Sequence, residues 1–277
     1  MAKRVNKAKV KRLLLFVDVL LVGVLLVSGT LLAVAVIRYE RDRAIYREAQ
    51  QLAVSAPADA SSPAPAEPTA LPAGDAPAGE WAPPAEKPPI TVDFAAILAE
   101  GEDVCGWLYS DGTVINYPVV RYTNNTYYLT HAYDGTRSDG GALFVDARCG
   151  KALTDQNIIV YGHHMKNKTM FGSLLEYQKQ TYYDAHPVLY LLTPTQNYRV
   201  EVFAAWFSDS ETEHFPVYFA SDAARRQFVL NAMNASGFTA AAEYRSSAQM
   251  LTLVTCAYSE YFDDAKFQVN GWLIPIG

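Results

Sequence analysis

Hydrophobic positions along the chain fall into three regimes. Leu13 to Ile37 is almost continuously apolar, long enough for a helix to cross a bilayer at about 20 residues and 1.5 Å rise each. Residues 38–52 mix Arg, Glu and Ala, with Glu40, Asp42 and Glu48 among Arg41, Arg43 and Arg47, which predicts a charged, solvated helical stalk. Residues 53–89 collapse to Ala, Pro, Gly and Ser, a composition that cannot offset the entropy of ordering. They read as a linker that, extended at roughly 3.1 Å per residue, reaches about 100 Å. Trp81 is its one large apolar group.

From residue 90 onward the pattern shortens. Asp93 to Glu102, with Phe94, Ile97 and Leu98 apolar, predicts a short amphipathic helix stopped near Gly101. Strand signals then follow at 114–120, 127–131, 142–146, 157–162, 188–192, 198–207, 251–256 and 267–274, with Pro194-Thr195-Gln196-Asn197 as a hairpin turn. Ser221 to Ser236 predicts one long helix, N-capped by Ser221, stopped at Gly237 and buried through Ala224, Phe228, Ala232 and Met233. Many short strands with few helices predict a mainly β fold, a closed barrel in residues 90–277 that leaves no exposed edge. One barrel domain follows a transmembrane helix (13–37), a stalk (38–52) and a linker (53–89).

Charge sets the orientation. Residues 1–12 carry Lys3, Arg4, Lys7, Lys9, Lys11 and Arg12 and no acid, so this tail stays cytoplasmic and the remainder lies outside, a single-pass type II topology. The apolar run is too long for a cleaved signal peptide. Asp18 lies near the cytoplasmic end, where a carboxyl is tolerated at modest cost. A formal net charge of −6 provides no basic face for nucleic acid.

Candidate chemistry centres on Cys256. The alternating run Leu251-Thr252-Leu253-Val254-Thr255-Cys256 puts this cysteine at a strand exit, followed by a polar, aromatic segment from Ala257 to Asp264. A thiol there is a nucleophile only with a basic or cationic neighbour. His163 is the matching candidate, because Asn157-Ile158-Ile159-Val160-Tyr161-Gly162 delivers it to another strand exit on the face of Tyr161. His131, His164, His186 and His214 fit structural or solvent-facing roles. Three cysteines cannot all pair, and Cys105 and Cys149 are either a disulfide or two small residues at turns. Neither a zinc spacing nor a calcium loop is present, so no metal or other cofactor is implied.

Asn157 to His163 with Met165 and Met170-Phe171-Gly172, followed far downstream by Thr252-Leu253-Val254-Thr255-Cys256, resembles the paired signature motifs of sortases, class B in particular. Gly106-Trp107-Leu108-Tyr109, Tyr117-Pro118-Val119-Val120 and Asn125-Thr126-Tyr127-Tyr128-Leu129 support the resemblance, which covers residues 90–277. It implies an extracellular cysteine transpeptidase of a Gram-positive cell. Such an enzyme cuts a sorting signal of the Leu-Pro-x-Thr-Gly or Asn-Pro-x-Thr-Asn type after threonine and passes the acyl group to a peptidoglycan amine. Carried over, Cys256 is the nucleophile and His163 the general acid and base. Tyr161, Val254, Thr255 and Asn125 are the expected substrate contacts. The family arginine after the cysteine strand is replaced by Lys266, which keeps the charge and loses the two-point fork. Val254 likewise stands where a serine is common, and Arg245 is an alternative cation for the site. Two other functions remain open: a sortase with a pilin lysine as acceptor, and a tethered signal-binding barrel disabled by Lys266.

Overall fold

The computed structural model describes the backbone of residues 7–56, 86–209, 215–256 and 265–277, and the side chains in those spans except at 7–11, 13, 14, 209 and 256. Trp81, His214 and the segment from Ala257 to Asp264 lie outside the described residues. The chain divides into two units, residues 1–44 and 45–277. The first consists of helix α1, which runs unbroken from Lys7 to Ala53 into the second. From Leu15 onward it is long and apolar enough to cross a membrane.

The last turns of α1 depart from the expected stalk. Tyr46, Ala49 and Ala53 recur at helical spacing and are buried in the core of the second unit. The Tyr46 hydroxyl donates to the Gly141 carbonyl, its ring meets Tyr117 edge-on at 5.2 Å, and Gln50 Nε2 donates to the Asn116 carbonyl at 2.8 Å. Two alanines and a tyrosine make a faint apolar stripe, which the flanking charges mask in the sequence. Strand β1 (Val54–Ser55) then pairs with β2 (Thr91–Val92), and Asp93 N donates to the Ala53 carbonyl at 2.8 Å. Glu86 is held by the Tyr190 hydroxyl at 2.9 Å and by Arg199 at 3.3 Å. Both ends of the Pro/Ala-rich segment are therefore fastened to the barrel unit. The chain docks at Tyr46, ahead of β1.

Helix α2 (Phe94–Glu100) is capped by Asp93, whose carboxylate accepts from Ala96 N. The barrel strands are β3 (Val104–Tyr109), β4 (Asn116–Arg121), β5 (Leu143–Val145), β6 (Asn157–Tyr161), β7 (Val188–Leu192), β8 (Asn197–Asp209), β9 (Gln249–Cys256) and β10 (Ala265–Ile276), with the short helix α3 (Gln180–Ala185) before β7. They close in the order β10-β8-β7-β3-β4-β5-β6-β9, as the mainly β pattern predicts. Only β4–β5 and β6–β9 are parallel. The turn at 194–196 joins β7 to β8 as expected, Thr193 N donating to the Gln196 carbonyl at 3.1 Å.

Strand β3 is absent from the strands read in the sequence, and two further elements of the barrel unit differ from expectation. The strand expected at 127–131 is a 3-10 turn at Tyr127–Leu129, because Asn124 Oδ1 accepts from Thr126 N and Tyr127 N, both at 2.9 Å, and draws the backbone into a turn. Helix α4 (Asp222–Ala235), capped by Ser221 as predicted, buries Arg225, Val229 and Ala232. That face is rotated from the one drawn on apolar spacing. Arg225 donates to the Ser246 and Ala248 carbonyls and lies over the Trp272 ring at 5.6 Å, so a charged residue occupies a core position. Cys105 and Cys149 are free thiols. Burial pushes them up to about 12 and about 11, which leaves both protonated at neutral pH.

Deleting residues 57–85 leaves about six residues to close the β1–β2 pair, a normal loop, and is expected to leave the thermal midpoint within about 2 °C of the parent. Tyr46→Ala should instead cost about 3 kcal/mol in chemical unfolding, as a buried aromatic truncation. A large loss from the deletion with none from Tyr46→Ala would contradict this division.

Candidate active site

Strands β6, β9, β10 and β8 lie side by side, and their register builds the site. Met250 packs beneath α4 with Val229, Ala232 and Trp272, whereas Leu251 and Leu253 belong to the barrel core. Alternation then puts positions 252, 254 and 256 on the outer face with Met250. Tyr161 pairs with Val254, Val254 with Gln268, and Gln268 with Trp206. One step further, Cys256 pairs with Lys266, and Lys266 with Ser208. Gly162 N donates to the Val254 carbonyl at 3.1 Å as the last rung of β6, and His163 follows two residues beyond Tyr161 as Cys256 does beyond Val254. Cys256 and Lys266 are thus paired neighbours on β9 and β10, and His163 follows the end of β6, the strand that flanks β9 on its other side.

Below these positions the outer face is polar and buried. Thr252 Oγ1 donates to Asn157 Oδ1 at 2.8 Å, Asn270 Nδ2 to Thr252 Oγ1 at 3.0 Å and Trp206 Nε1 to Asn270 Oδ1 at 3.2 Å, and Asn157 Nδ2 reaches the Pro216 carbonyl at 2.8 Å. These bonds cross β6, β9, β10 and β8. A one-residue slip of any of these strands would break them and turn its apolar set outward.

His163 is half-buried, and its Nε2 lies 2.7 Å from the Leu129 carbonyl. A carbonyl oxygen only accepts, so Nε2 carries the proton and Nδ1 is left for exchange when the ring is neutral. The 3-10 turn at Tyr127–Leu129 supplies that carbonyl, which gives the element misread as a strand a place in the site. A Cβ at Gly162 would come within 2.5 Å of Leu143 Cδ2 and 2.7 Å of Phe171 Cδ2, so any larger residue there forces these buried side chains to shift.

Beside His163, the Tyr161 hydroxyl donates to Asp146 Oδ2 at 2.9 Å, and Arg148 grips the same carboxylate through Nε at 3.0 Å and Nη2 at 2.8 Å. Burial works to raise the Asp146 carboxyl, but the Arg148 and Tyr161 hydrogen bonds together outweigh it and hold the group below the ordinary carboxylate range. Burial and then Asp146 push the Tyr161 phenol up, so it remains a donor. The Tyr161 ring packs on Phe144 at 5.4 Å and meets Phe215 at 6.4 Å. Asp146 and Arg148 escape a reading of single residues. Their only signal is the pair Asp146-Ala147-Arg148 at a strand end.

The remaining predicted residues separate. Asn125 Oδ1 accepts from Ala147 N at 2.7 Å and ties the 3-10 turn to the Asp146 loop. Val254 is buried one row below Cys256. Thr255 is 1 % exposed and pairs with Phe267 on the interior face, which removes its side chain from the site face where a substrate contact was expected. Arg245 is taken by Glu201 at 2.8 Å, about 20 Å along β8 from Ser208. Ser208 is unanticipated: it neighbours Lys266, is 3 % exposed, and its hydroxyl finds no hydrogen-bond partner among the described residues. His131 stacks on Tyr127 at 4.1 Å and His186 Nδ1 meets the Asp111 carbonyl at 3.0 Å.

No family model matches the chain. It is 28 % identical over 173 residues to sortase B of Listeria monocytogenes, covering 62 % of this chain and 70 % of that one. The Staphylococcus aureus sortase B–substrate complex superposes with a TM-score of 0.62 at 27 % identity, covering 66 % of this chain and 85 % of that one. Sortase B of Bacillus anthracis, solved in complex with AAEK1, gives 0.66 at 25 % identity over 86 % and 99 % of the two chains. An eight-stranded closed barrel with this likeness defines a sortase-type cysteine transpeptidase. Within that class, the likeness is to class B sortases.

Asp146, with its carboxyl depressed below the unfolded value, stabilises the fold above about pH 4, and that stabilisation is lost as pH falls through the folded value. Asp146→Asn should therefore melt with a smaller change between pH 5 and pH 3 than the parent, and parallel curves would contradict the assignment.

Proposed function

We propose that the protein cleaves a C-terminal sorting signal of the Leu-Pro-x-Thr-Gly or Asn-Pro-x-Thr-Asn type after threonine and transfers the acyl group to a peptidoglycan amine. The observation that supports this reading is that Cys256 pairs with Lys266 across β9 and β10, while His163 follows the end of β6, whose last residue Tyr161 pairs with Val254 on β9. The Cys256 thiolate attacks the threonine carbonyl carbon. The bond to the leaving amine breaks as His163 gives that nitrogen a proton, and a thioacyl ester remains on Cys256. An acceptor amine then attacks the ester, His163 takes its proton, the amide forms and the thiolate departs. Lys266 presents a positive charge where the oxyanion develops, as a point charge without the two-point fork of arginine. Asn125 and the Tyr161 ring border the peptide. The basic residues 1–12 stay in the cytoplasm, α1 anchors the chain in the plasma membrane and the barrel works outside.

The full-length chain in detergent, incubated with fluorogenic peptides of both signal types, should cleave at least one and show the thioacyl mass on Cys256. Cys256→Ala should abolish both signals, and Lys266→Arg should raise kcat/KM by about tenfold if a fork recovers part of the 10²-fold to 10³-fold worth of an oxyanion donor. Absence of cleavage and of any adduct would contradict transpeptidation of these signals. An unchanged or lower rate in Lys266→Arg would remove Lys266 from the oxyanion role.

A further inference from the structure

A groove of about 570 Å³ begins at the residue after His163. Its walls are His164, Met165, Lys166 and Lys168 from the segment leaving the site, and Glu176 and Lys179 from the 3-10 turn at Leu174–Gln178 and its exit. Lys168 and Lys179 share a single carboxylate, Glu176, the Lys179 contact being 2.8 Å. Those two hydrogen bonds draw the Glu176 carboxyl down to about 2, so it is ionised throughout the working range and still leaves the groove positive. Lys166 is exposed and has no ion-pair partner among the described residues. Three ammonium groups thus face one carboxylate, in a chain whose formal net charge is −6. The backbone that carries Lys166 and Lys168 is held in a turn: Lys168 N donates to the Met165 carbonyl at 2.9 Å, and Asn167 Oδ1 accepts from Thr169 N at 3.1 Å. Packed lysines with one counter-ion repel one another, and a bound anion relieves that repulsion.

The direction of attack identifies the occupant. In the transfer reaction proposed above, on which this inference rests, His163 takes the proton of the incoming amine, so the acceptor must approach His163 itself. The groove wall starts at His164, the next residue along the chain, which leaves it available to the part of an acceptor that extends past His163. We infer that the groove lined by Lys166, Lys168 and Lys179 binds the body of the acceptor, and that this body carries anionic groups, carboxylate or phosphate. A cationic acceptor, such as a lysine-rich protein surface, is repelled from the same place.

The test compares three acceptors that share one amine: a neutral peptide amide, a muramyl peptide bearing carboxylates, and the same peptide on a pyrophosphate-linked nucleotide. Lys166→Glu/Lys179→Glu in the full chain should raise the acceptor KM for an anionic acceptor about tenfold. The KM for the neutral amide should change less than twofold, and hydrolysis of the signal peptide should be unchanged. Lys166→Arg/Lys179→Arg should retain parental values. An effect on both anionic acceptors assigns carboxylates, and one on the nucleotide-linked acceptor alone assigns phosphate. Equal changes for all three acceptors, or none, would overturn the inference. Binding of the same acceptors to the Cys256→Ala chain separates the two readings. A tenfold weakening there upholds the groove even if wild-type Cys256 never acquires an acyl group, an outcome that would sink the transfer reaction alone, whereas unchanged binding rejects the groove.

Discussion

The structure depends on the register of β6, β9, β10 and β8, and the buried hydrogen bonds among Asn157, Thr252, Asn270 and Trp206 hold it. Apolar side chains alone would fix the interior face of these strands without singling out one alignment along their length. Buried polar groups do so, because each slip leaves a donor or acceptor unpaired at a cost of about 1–3 kcal/mol. Beyond this network the same register pairs Val254 with Gln268 and then Cys256 with Lys266, and β6 ends beside Val254 just before His163. Strand alignment thus brings together positions that are far apart in the sequence.

Around these residues the chain adds restraints from outside the sheet. The 3-10 turn at Tyr127–Leu129 fixes the proton of His163 on Nε2, and Asn125 binds that turn to the Asp146 loop. Asp146 is in turn saturated by Arg148 and Tyr161, so the residue before Gly162 is clamped at its hydroxyl. Restraints of this kind keep an imidazole oriented between two proton transfers. Lys266 departs from an otherwise ordinary arrangement. Its neighbour Ser208 offers a buried hydroxyl on the same face, and the Arg245 guanidinium is engaged elsewhere.

Much of this was legible in the sequence, for physical reasons that also explain the failures. Period-two alternation marked β9 and β10, and capping chemistry at Asp93 and Ser221 marked two helix starts. The pairing of His163 with Cys256 came from motif likeness, since no periodicity connects strands so distant in the chain. The turn at Tyr127–Leu129 was lost because its aromatic residues favour strands, while the side chain of Asn124 decided the backbone. The docked end of α1 was lost because Ala49 and Ala53 are too small to register as an apolar face. Arg225 shows the converse, a charge buried because carbonyls and Trp272 receive it. Thr255 entered the expected substrate contacts through motif likeness, although strand alternation turns it to the face opposite Cys256.

In the proposed transfer His163 and Lys266 serve one transition state, and the coupling between them can be measured. A double-mutant cycle of His163→Ala and Lys266→Ala, read in kcat/KM for signal-peptide cleavage, should be strongly non-additive, the double variant losing no more than about tenfold beyond the worse single variant. Fully additive losses would show two residues acting independently and would contradict the account.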